Sequence, residues 1–308
     1  MRRLCPDVPE IDDLLRTPES AVSMRTSEMR LVPPSGKPLC YDFEGMVLDR
    51  IAHDEALVAL AESSGAHYLV ASRVESVDGE TVRLRDGSEY TARVVIGAGG
   101  HNDPLRKSEW KVKSLNIPVK FALMSGEFED ALELHFGSVA PGGYAWKFPK
   151  QGGANIGLGI QTALARGKSL NEYSEEFVSR YEGRIEFRGA GSLPMSGSID
   201  SFVKGKHLLV GDAAGMVLPS NGAGITIAMI GGRIAGQVVA EHLRDGTPLS
   251  EYEVRWEAQM GKVMRNSKRA FRLGSLLFRS PDWLLNIAFN RLTKPLIWRA
   301  VTCRPLLG

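Results

Sequence analysis

The sequence predicts an α/β fold in which a mostly parallel frame is interrupted by an antiparallel, β-rich insertion. Residues 94–96 and 208–210 are short, wholly apolar runs followed by glycine, a pattern typical of buried parallel strands. After the second run, a glycine-rich turn at 211–224 leads into a long predicted helix at 225–243. Between the two runs, glycine and proline separate short alternating segments at 119–124, 132–136, 144–148 and 155–160.

The remaining elements are predicted from periodicity and from breaking residues. Residues 1–40 are rich in proline and are expected to be irregular, apart from a short helix at 11–16. Further predicted elements are a helix at 46–64 ending at Gly65, strands at 67–77 and 81–84, a helix at 169–180, and a helical tail from 250 broken at Pro281 and Pro295.

Composition indicates a folded protein that does not cross a membrane. Hydrophobic residues make up 43% of the 308 residues, and no stretch approaches the roughly 18–20 apolar residues of a spanning helix. The three cysteines are far apart, which favours reduced thiols over a disulfide framework or a zinc site. No signal peptide is visible, so a cytoplasmic location is expected. No metal site and no nucleic-acid partner are predicted.

The charge is distributed unevenly along the chain. From Gly261 onward there are ten Lys or Arg residues and one acidic residue, Asp282, although the net charge is only +2. Apolar side chains are interspersed with these cations, as in helices that lie on an anionic membrane surface. A helical subdomain with solvated charges explains the same composition. The composition of the tail therefore predicts peripheral membrane contact, packing of its helices into a subdomain, or both.

The segment 207–243 carries the clearest chemical signal. Asp212 follows a buried strand, where a carboxylate can accept hydrogen bonds from ligand hydroxyls in the crevice. Gly222 and Gly224 allow close approach of a flat ligand, and the amides that begin the next helix favour negative charge. Gly231, Gly232 and Gly236 inside that helix indicate close helix–sheet packing. The alternative is a merely flexible connection.

This segment resembles the second FAD signature of a flavoprotein group that includes aromatic hydroxylases, squalene epoxidase, flavin-dependent halogenases and geranylgeranyl reductases. The resemblance implies an FAD cofactor. It places Gly211 and Asp212 at the ribityl chain, and it places Pro219, Gly222, Gly224 and Ile225 against the isoalloxazine ring.

Two further segments resemble motifs of the same group. ARVVIGAGGHNDPLR resembles the Gly-Ala-Asp-Gly motif that ends in arginine, which makes Arg106 a cofactor-binding candidate, although Gly99 stands where the group has Asp. GMVLDRIAHDEAL resembles a helix that contacts FAD through Arg50, with His53 in place of Phe. The same alignment assigns a backbone contact with adenine to Val74. Considered alone, Arg50 is better explained as a solvated helix charge.

An aromatic strand distinguishes one member of the group. In GYAWKFPKQGGANIGLGI, Tyr144, Trp146 and Phe148 alternate and share one face of a strand. Such an aromatic face is commonly part of the core of a β-sandwich. The segment nevertheless resembles the Tyr-x-Trp-x-Phe-Pro and Gly-x-Gly signature of geranylgeranyl reductases, in which this strand lines a cavity for an isoprenoid chain. The resemblance implies substrate contacts for all three aromatic residues and a hydrogen bond from Tyr144. It identifies no catalytic proton donor.

The predicted domains are an incomplete Rossmann-like FAD-binding domain at 1–110 and 205–249, a β-rich substrate domain at 111–204, and a basic helical region at 250–308. The strand–GxGxxG–helix segment that holds the pyrophosphate of FAD in this group is not found. We therefore expect an incomplete reading frame, poor FAD binding, and open edges at 94–96 and 208–210. Cys5 falls near a family cysteine, but it lacks the following glycines and is assigned no role.

The resemblance implies an FAD-dependent reductase of geranylgeranyl double bonds on lipids. Its electron donor is left open between a nicotinamide cofactor and a ferredoxin. An FAD-dependent monooxygenase acting on an aromatic or terpenoid compound is the first alternative. The second is a non-catalytic fragment that binds isoprenoid lipid without flavin.

Overall fold

The computed structural model describes Cys5 and residues 7–306. The strands of this part of the chain are β1 Val22–Val32, β2 Leu39–Leu48, β3 Val74–Asp78, β4 Thr81–Leu84, β5 Glu89–Thr91, β6 Val95–Gly97, β7 Asn116–Ser125, β8 Leu132–His135, β9 Tyr144–Lys150, β10 Gly153–Gly159, β11 Arg184–Pro194, β12 Val203–Lys204 and β13 His207–Leu209. The helices are α1 Ile11–Leu14, α2 Arg50–Ser63, α3 Leu170–Val178, α4 Ile225–Asp245, α5 Glu251–Phe278, α6 Asp282–Ala288 and α7 Lys294–Val301. The predicted α/β class is confirmed.

A seven-stranded sheet in the order β11-β7-β10-β9-β8-β1-β2 forms the largest element. Its strands are antiparallel to their neighbours except for the parallel pair β1–β8. The antiparallel strands predicted between 119 and 160 are confirmed as β7 to β10. One face of the sheet packs on α3, and the other packs on α6 and α7.

The prediction that residues 1–40 are irregular is wrong for β1. This strand and β2 form a long hairpin that joins the large sheet through β8, although both lie within the range assigned to the FAD-binding domain. The alternation of β1 is weak because only Thr26 and Leu31 are buried in this strand, whereas β2 alternates clearly. The short helix at 11–16 is confirmed as α1.

A second sheet contains the two short apolar strands. β6 and β13 pair in parallel, and β12 covers the other side of β13. In the described residues β6 forms hydrogen-bonded pairs with β13 only, so the expected open edge at 94–96 is confirmed. The prediction of an open edge at 208–210 is wrong, because β13 is the central strand of this sheet. A separate hairpin sheet, β3-β4-β5, follows α2, and its first strand begins at Val74 rather than at 67.

Several helix boundaries differ from the predictions for clear reasons. α2 begins at Arg50 because the Asp49 side chain caps the amides of Ile51 and Ala52, and residues 46–48 belong to β2. α3 begins with a capping box between Ser169 and Glu172. The breaks predicted at Pro281 and Pro295 are confirmed, since α6 begins directly after Pro281 and α7 begins with Pro295 in its first turn, after a gap that follows Ala288.

The helix glycines of α4 differ in their surroundings. A Cβ at position 231 would lie 2.6 Å from the Met216 sulfur, so close packing explains this glycine. At Gly232 and Gly236 a Cβ would have no described atom within 4 Å, so the packing explanation is wrong for these two positions. The buried side of α4 packs against α5 and β13 in one continuous core.

The C-terminal helices combine a buried side with an exposed apolar side. Trp298 of α7 stacks on Tyr41 of β2 with ring centroids 4.4 Å apart, and Leu285 of α6 is fully buried. By contrast, Leu276 is 67% exposed and Trp283 is 63% exposed. No helix among the described residues is long and apolar enough to span a bilayer.

Candidate flavin and substrate site

The turn between β13 and α4 is built on glycines with left-handed backbone. Gly211 follows the strand with φ +60°, and Gly222 has φ +74°. Such angles are costly for residues with a Cβ. Because β6 and β13 are parallel, their carboxyl ends bring the 97–101 turn beside Gly211 and Asp212. This crevice is where ligands bind in open parallel sheets.

The Asp212 carboxylate fits a ligand that offers hydroxyl groups. It has no hydrogen-bond partner within the described chain, and one of its oxygens would lie 3.5 Å from a Cβ at Gly224. Burial raises the pKa of Asp212, an effect that the nearby His101 partly offsets. Gly224 caps α4 without a side-chain bond, which leaves the first amides of the helix available to an electron-rich ligand edge. These groups fit the ribityl chain and ring edge of a flavin.

Asn221 joins the turn to the aromatic strand β9 and to the C-terminal helix α7. The Tyr144 hydroxyl donates to the Asn221 carbonyl oxygen at 2.7 Å. The Asn221 side-chain amide donates to the Val301 carbonyl at 2.8 Å, and its side-chain oxygen accepts from the Ala223 amide at 2.9 Å. Sequence reasoning missed Asn221, because its partners are distant in the chain.

The predicted aromatic face is confirmed. Tyr144, Trp146 and Phe148 lie on one side of β9, with successive ring centroids 6.1 Å apart. Tyr144 and Trp146 line a narrow cavity of about 40 Å³ together with Pro219, which we call the aromatic cavity. Phe148 lies beyond it along the strand and packs in the core beneath α6 and α7.

Other aromatic side chains of this cavity were not predicted as substrate contacts. Phe136, Phe271 and Phe278 also line it. Phe271 and Phe278 are two helical turns apart on α5, and this spacing is a usable signal for a shared face. The composition of their segment predicts either a membrane-contacting helix or a packed helical subdomain, and neither phenylalanine is among the predicted substrate contacts.

The Gly-x-Gly motif of β10 has a steric cause. The indole of Trp146 crosses this neighbouring strand, and a Cβ at Gly157 would collide with the ring and with the Lys120 carbonyl. The Trp146 Nε1 donates to the Asn155 side-chain oxygen at 2.8 Å. The glycine therefore leaves room for the Trp146 ring against β10.

Gly99 stands where the related motif has an aspartate, and the side chain of Asp103 lies next to it. Asp103 is buried, and its carboxylate accepts hydrogen bonds from the Gly99 amide at 2.8 Å and from the Arg106 amide at 3.0 Å. A Cβ at Gly99 would lie 2.8 Å from one of its oxygens. The Arg106 side chain is buried within its own loop, where it donates to the His101 carbonyl at 3.2 Å. Its Nε has no partner among the described residues.

The residues predicted to contact the adenine side of FAD lie apart from the turn between β13 and α4. Arg50 is exposed on α2 and pairs with Asp54 at 3.0 Å, and Val74 pairs with Leu84 in the hairpin sheet. Ile51 of the same helix is 73% exposed. No described contact links Arg50 or Val74 to Asp212, so their assignment stays a prediction.

Comparison with known proteins agrees with this geometry. Residues 115–190, which contain the aromatic strand and the Gly-x-Gly motif, match the family model described as geranylgeranyl reductase catalytic domain. The digeranylgeranylglycerophospholipid reductase of Methanocella arvoryzae is 30% identical over 267 residues, which cover 80% of this chain and 68% of that protein. The chain belongs to the geranylgeranyl reductase family. A second relative with the same name, from Methanothrix thermoacetophila, is 32% identical over 82% of this chain and 76% of its own length.

Some relatives are covered less completely. Digeranylgeranylglycerophospholipid reductase 2 of Methanothermobacter thermautotrophicus is 36% identical over 72% of this chain, and the chain spans 63% of that protein. Among solved structures, the geranylgeranyl bacteriochlorophyll reductase-like protein of Thermoplasma acidophilum has a TM-score of 0.78 at 24% identity and covers 97% of this chain and 81% of its own. PqsL of Pseudomonas aeruginosa, a probable FAD-dependent monooxygenase, has a TM-score of 0.64 at 18% identity and covers 88% of this chain and 83% of its own. The two structures show the fold that geranylgeranyl reductases share with flavin-dependent monooxygenases.

Proposed function

We propose that this chain reduces the double bonds of geranylgeranyl groups carried by lipids and that it uses FAD to do so. The observation that carries the proposal is the hydrogen bond from Tyr144 to Asn221, which joins the aromatic cavity directly to the predicted flavin turn. A cavity lined by aromatic rings beside that turn suits an unactivated alkene, which offers no polar group for recognition. The reductases named above support the same reaction.

Each part of the turn has a role in this proposal. Asp212 accepts hydrogen bonds from the ribityl hydroxyls, and Gly211, Gly222 and Gly224 allow the backbone to approach the ring. Pro219 and the first residue of α4, Ile225, contact the isoalloxazine. Arg50, Val74 and Arg106 are assigned to the ADP side by resemblance alone. When bound, reduced FAD supplies the hydride for one alkene carbon, while a proton reaches the other carbon.

The protein's own contribution is positioning and exclusion of water. Tyr144 is held by Asn221, and burial raises the pKa of its hydroxyl to about 12, so it stays a neutral hydrogen-bond donor at physiological pH. Trp146 and Phe278 form apolar walls that hold the chain of the substrate against the turn. The electron donor, a nicotinamide cofactor or a ferredoxin, and the domain boundaries at 110, 205 and 249 stay predictions.

Membrane contact through the C-terminal helices is part of the proposal. Leu273 and Leu276 on α5, and Trp283 and Ile287 on α6, are exposed at helical spacings of three or four residues. Arg272 and Arg279 stand beside them, a combination suited to an anionic lipid surface.

Co-sedimentation with vesicles tests this contact. Leu276→Ser combined with Trp283→Ser is expected to reduce binding to anionic phosphatidylglycerol vesicles about tenfold. Leu60→Ser, which changes an equally exposed leucine on α2, should leave binding unchanged. Binding that survives the double substitution would contradict the assigned surface.

The reaction itself is tested with FAD kept in excess and dithionite as the reductant. Under argon we expect the mass of a digeranylgeranylglycerophospholipid to increase by one H₂ for each reduced double bond. An oxygen-containing product that forms only in air would identify a monooxygenase instead. Lipid binding with no product under either condition would favour the non-catalytic fragment.

A further inference from the structure

A second cavity lies at a corner where three segments meet. It has a volume of about 260 Å³ and is formed by the loop after β8, the turn around residues 163–166, and the junction of α5 with α6. Its polar wall includes Arg166, Arg279 and Ser280, and its apolar wall includes Phe278. We call it the corner cavity.

The charges of the corner cavity favour an anion. Neither Arg166 nor Arg279 has an ion-pair or hydrogen-bond partner for its guanidinium in the described part of the chain. The cavity contains one carboxylate, Asp282, and both of its oxygens are already used by Ser138, whose amide donates at 2.9 Å and whose hydroxyl donates at 2.6 Å. Guanidinium groups with free donors are well suited to bind a phosphate group, because they can form charge-assisted hydrogen bonds with its oxygens.

The corner cavity and the aromatic cavity share a wall residue. Phe278 lines both, and its ring stacks on Phe136 with centroids 5.5 Å apart and planes only 4° from parallel. A molecule with an anionic end at the arginines and an isoprenoid chain would pass Phe278 and reach Tyr144 and Pro219. The exposed side chains of Leu276 and Trp283 flank the Phe278–Asp282 rim, so the cavity opens beside the proposed membrane surface.

We propose that Arg166 and Arg279 bind the phosphate of an isoprenoid phospholipid substrate while its chain extends past Phe278 to the flavin turn. The inference rests on the proposed function and adds a headgroup site to it. The apolar Phe278 wall that the two cavities share favours a lipid headgroup over free phosphate, which presents the same chemistry without a chain.

Calorimetric titration in a fixed concentration of neutral detergent tests the site without requiring turnover. The probes are geranylgeranyl phosphate, geranylgeraniol, which has the same chain but no phosphate, and inorganic phosphate. We expect geranylgeranyl phosphate to bind at least about tenfold more tightly than the alcohol, because two charge-assisted contacts are added. Arg279→Gln and Arg166→Asn should each remove most of this difference and leave affinity for the alcohol unchanged. Asn is chosen at 166 because it tolerates the left-handed backbone found there, with φ +47°.

Arg269→Gln provides the matched control, since Arg269 is exposed on α5, the helix that Arg279 directly follows, and does not line the cavity. Two results would overturn the headgroup site and leave the proposed function intact. One is equal affinity for geranylgeranyl phosphate and geranylgeraniol. The other is a difference in affinity between these two compounds that persists when both arginines are replaced. Binding of inorganic phosphate as tight as that of geranylgeranyl phosphate would identify a free-anion site and also overturn it. If neither isoprenoid compound binds, both the headgroup site and the proposed function fail.

Discussion

The Tyr144 hydroxyl donates a hydrogen bond of 2.7 Å to the carbonyl oxygen of Asn221, across 77 residues of sequence. This single contact connects the aromatic strand with the glycine turn that we assign to the flavin. Asn221 also binds the Val301 carbonyl, so the C-terminal helix α7 is fixed to the same point. The aromatic strand β9, the turn between β13 and α4, and α7 are therefore linked through one residue.

Removing this link is expected to affect chemistry more than stability. Tyr144→Phe keeps the ring but leaves the Asn221 carbonyl without this donor, at a cost of about 1 kcal/mol in unfolding free energy. We expect a several-fold loss of kcat, with little change in KM for the isoprenoid substrate, because the apolar wall is retained. Tyr173→Phe, which removes a buried hydroxyl bonded to the Ala165 carbonyl at 2.9 Å, is the control and should leave kcat unchanged.

The pH dependence of this contact has a definite direction. Burial raises the pKa of Tyr144 from 10.0 to about 12 in the folded protein. Its contribution to stability is therefore fully present below pH 10 and is lost as the pH rises towards 12. Denaturant unfolding of wild type and Tyr144→Phe should converge over that interval. A constant difference would show that the phenol does not titrate in this way.

Asp212 is expected to contribute to FAD binding and not to the stability of the fold. Because burial raises the pKa of this carboxylate and no described group bonds to it, Asp212→Asn should leave the unfolding free energy of the flavin-free protein unchanged or slightly higher. FAD affinity, measured by titration of the flavin absorbance, should fall about tenfold or more. Asp103→Asn is the contrasting variant, because Asp103 caps two backbone amides and its loss should destabilise the fold. Equal FAD affinity in wild type and Asp212→Asn would contradict the ribityl assignment.

Two glycine substitutions should have opposite effects on stability. Gly222→Ala forces a left-handed backbone on a residue with a Cβ that lies 3.1 Å from the Tyr144 hydroxyl, and should cost about 1–2 kcal/mol. Gly232→Ala lies inside α4 in open space and should gain about 1 kcal/mol from helix propensity. Chemical denaturation measures both. A loss of stability on Gly232→Ala would indicate that this face of α4 is covered in solution.

A buried ion pair on the α3 side of the large sheet predicts acid sensitivity. Lys147 is 4% exposed and pairs with Glu133 at 2.8 Å, and His135 bonds to the same carboxylate at 3.0 Å. Burial alone would raise the pKa of Glu133, but the hydrogen bonds from His135 and Lys147 outweigh it and lower the pKa from 4.5 to about 2. The stability that this carboxylate contributes is present above pH 4.5 and is lost as the pH falls towards 2.

Glu133→Gln should therefore cost about 3–5 kcal/mol at neutral pH, since it leaves Lys147 buried without its counter-charge. Glu175→Gln, which removes an exposed pair with Arg188, is the control and should cost less than about 1 kcal/mol. The difference between wild type and Glu133→Gln should shrink in unfolding experiments below pH 4.5. If the two substitutions cost the same, the pair has no special role in the fold.

The features that the sequence predicted correctly are those encoded locally. The runs at 94–96 and 208–210 are wholly apolar and end in glycine, so β6 and β13 were recognisable. Tyr144 and Trp146 alternate within one strand, which fixes their shared face without any knowledge of the fold.

The features that were missed depend on contacts between distant segments. β1 joins the large sheet through β8, more than 100 positions later, and its mostly half-buried residues carry no clear alternation. Phe136 and Phe278 meet in one stack only after α5 crosses the sheet. The corner cavity likewise takes Arg166 and Arg279 from segments whose proximity no local pattern indicates.

Reoxidation of the reduced flavin by the lipid under argon tests the central claim most directly. The chain is mixed with excess FAD, reduced with one equivalent of dithionite, and given digeranylgeranylglycerophospholipid while the visible spectrum is recorded. The account predicts that oxidised-flavin absorbance returns without oxygen, in proportion to the double bonds lost. A flavin that stays reduced until air is admitted would contradict a reductase and would point to oxygen as the true electron acceptor.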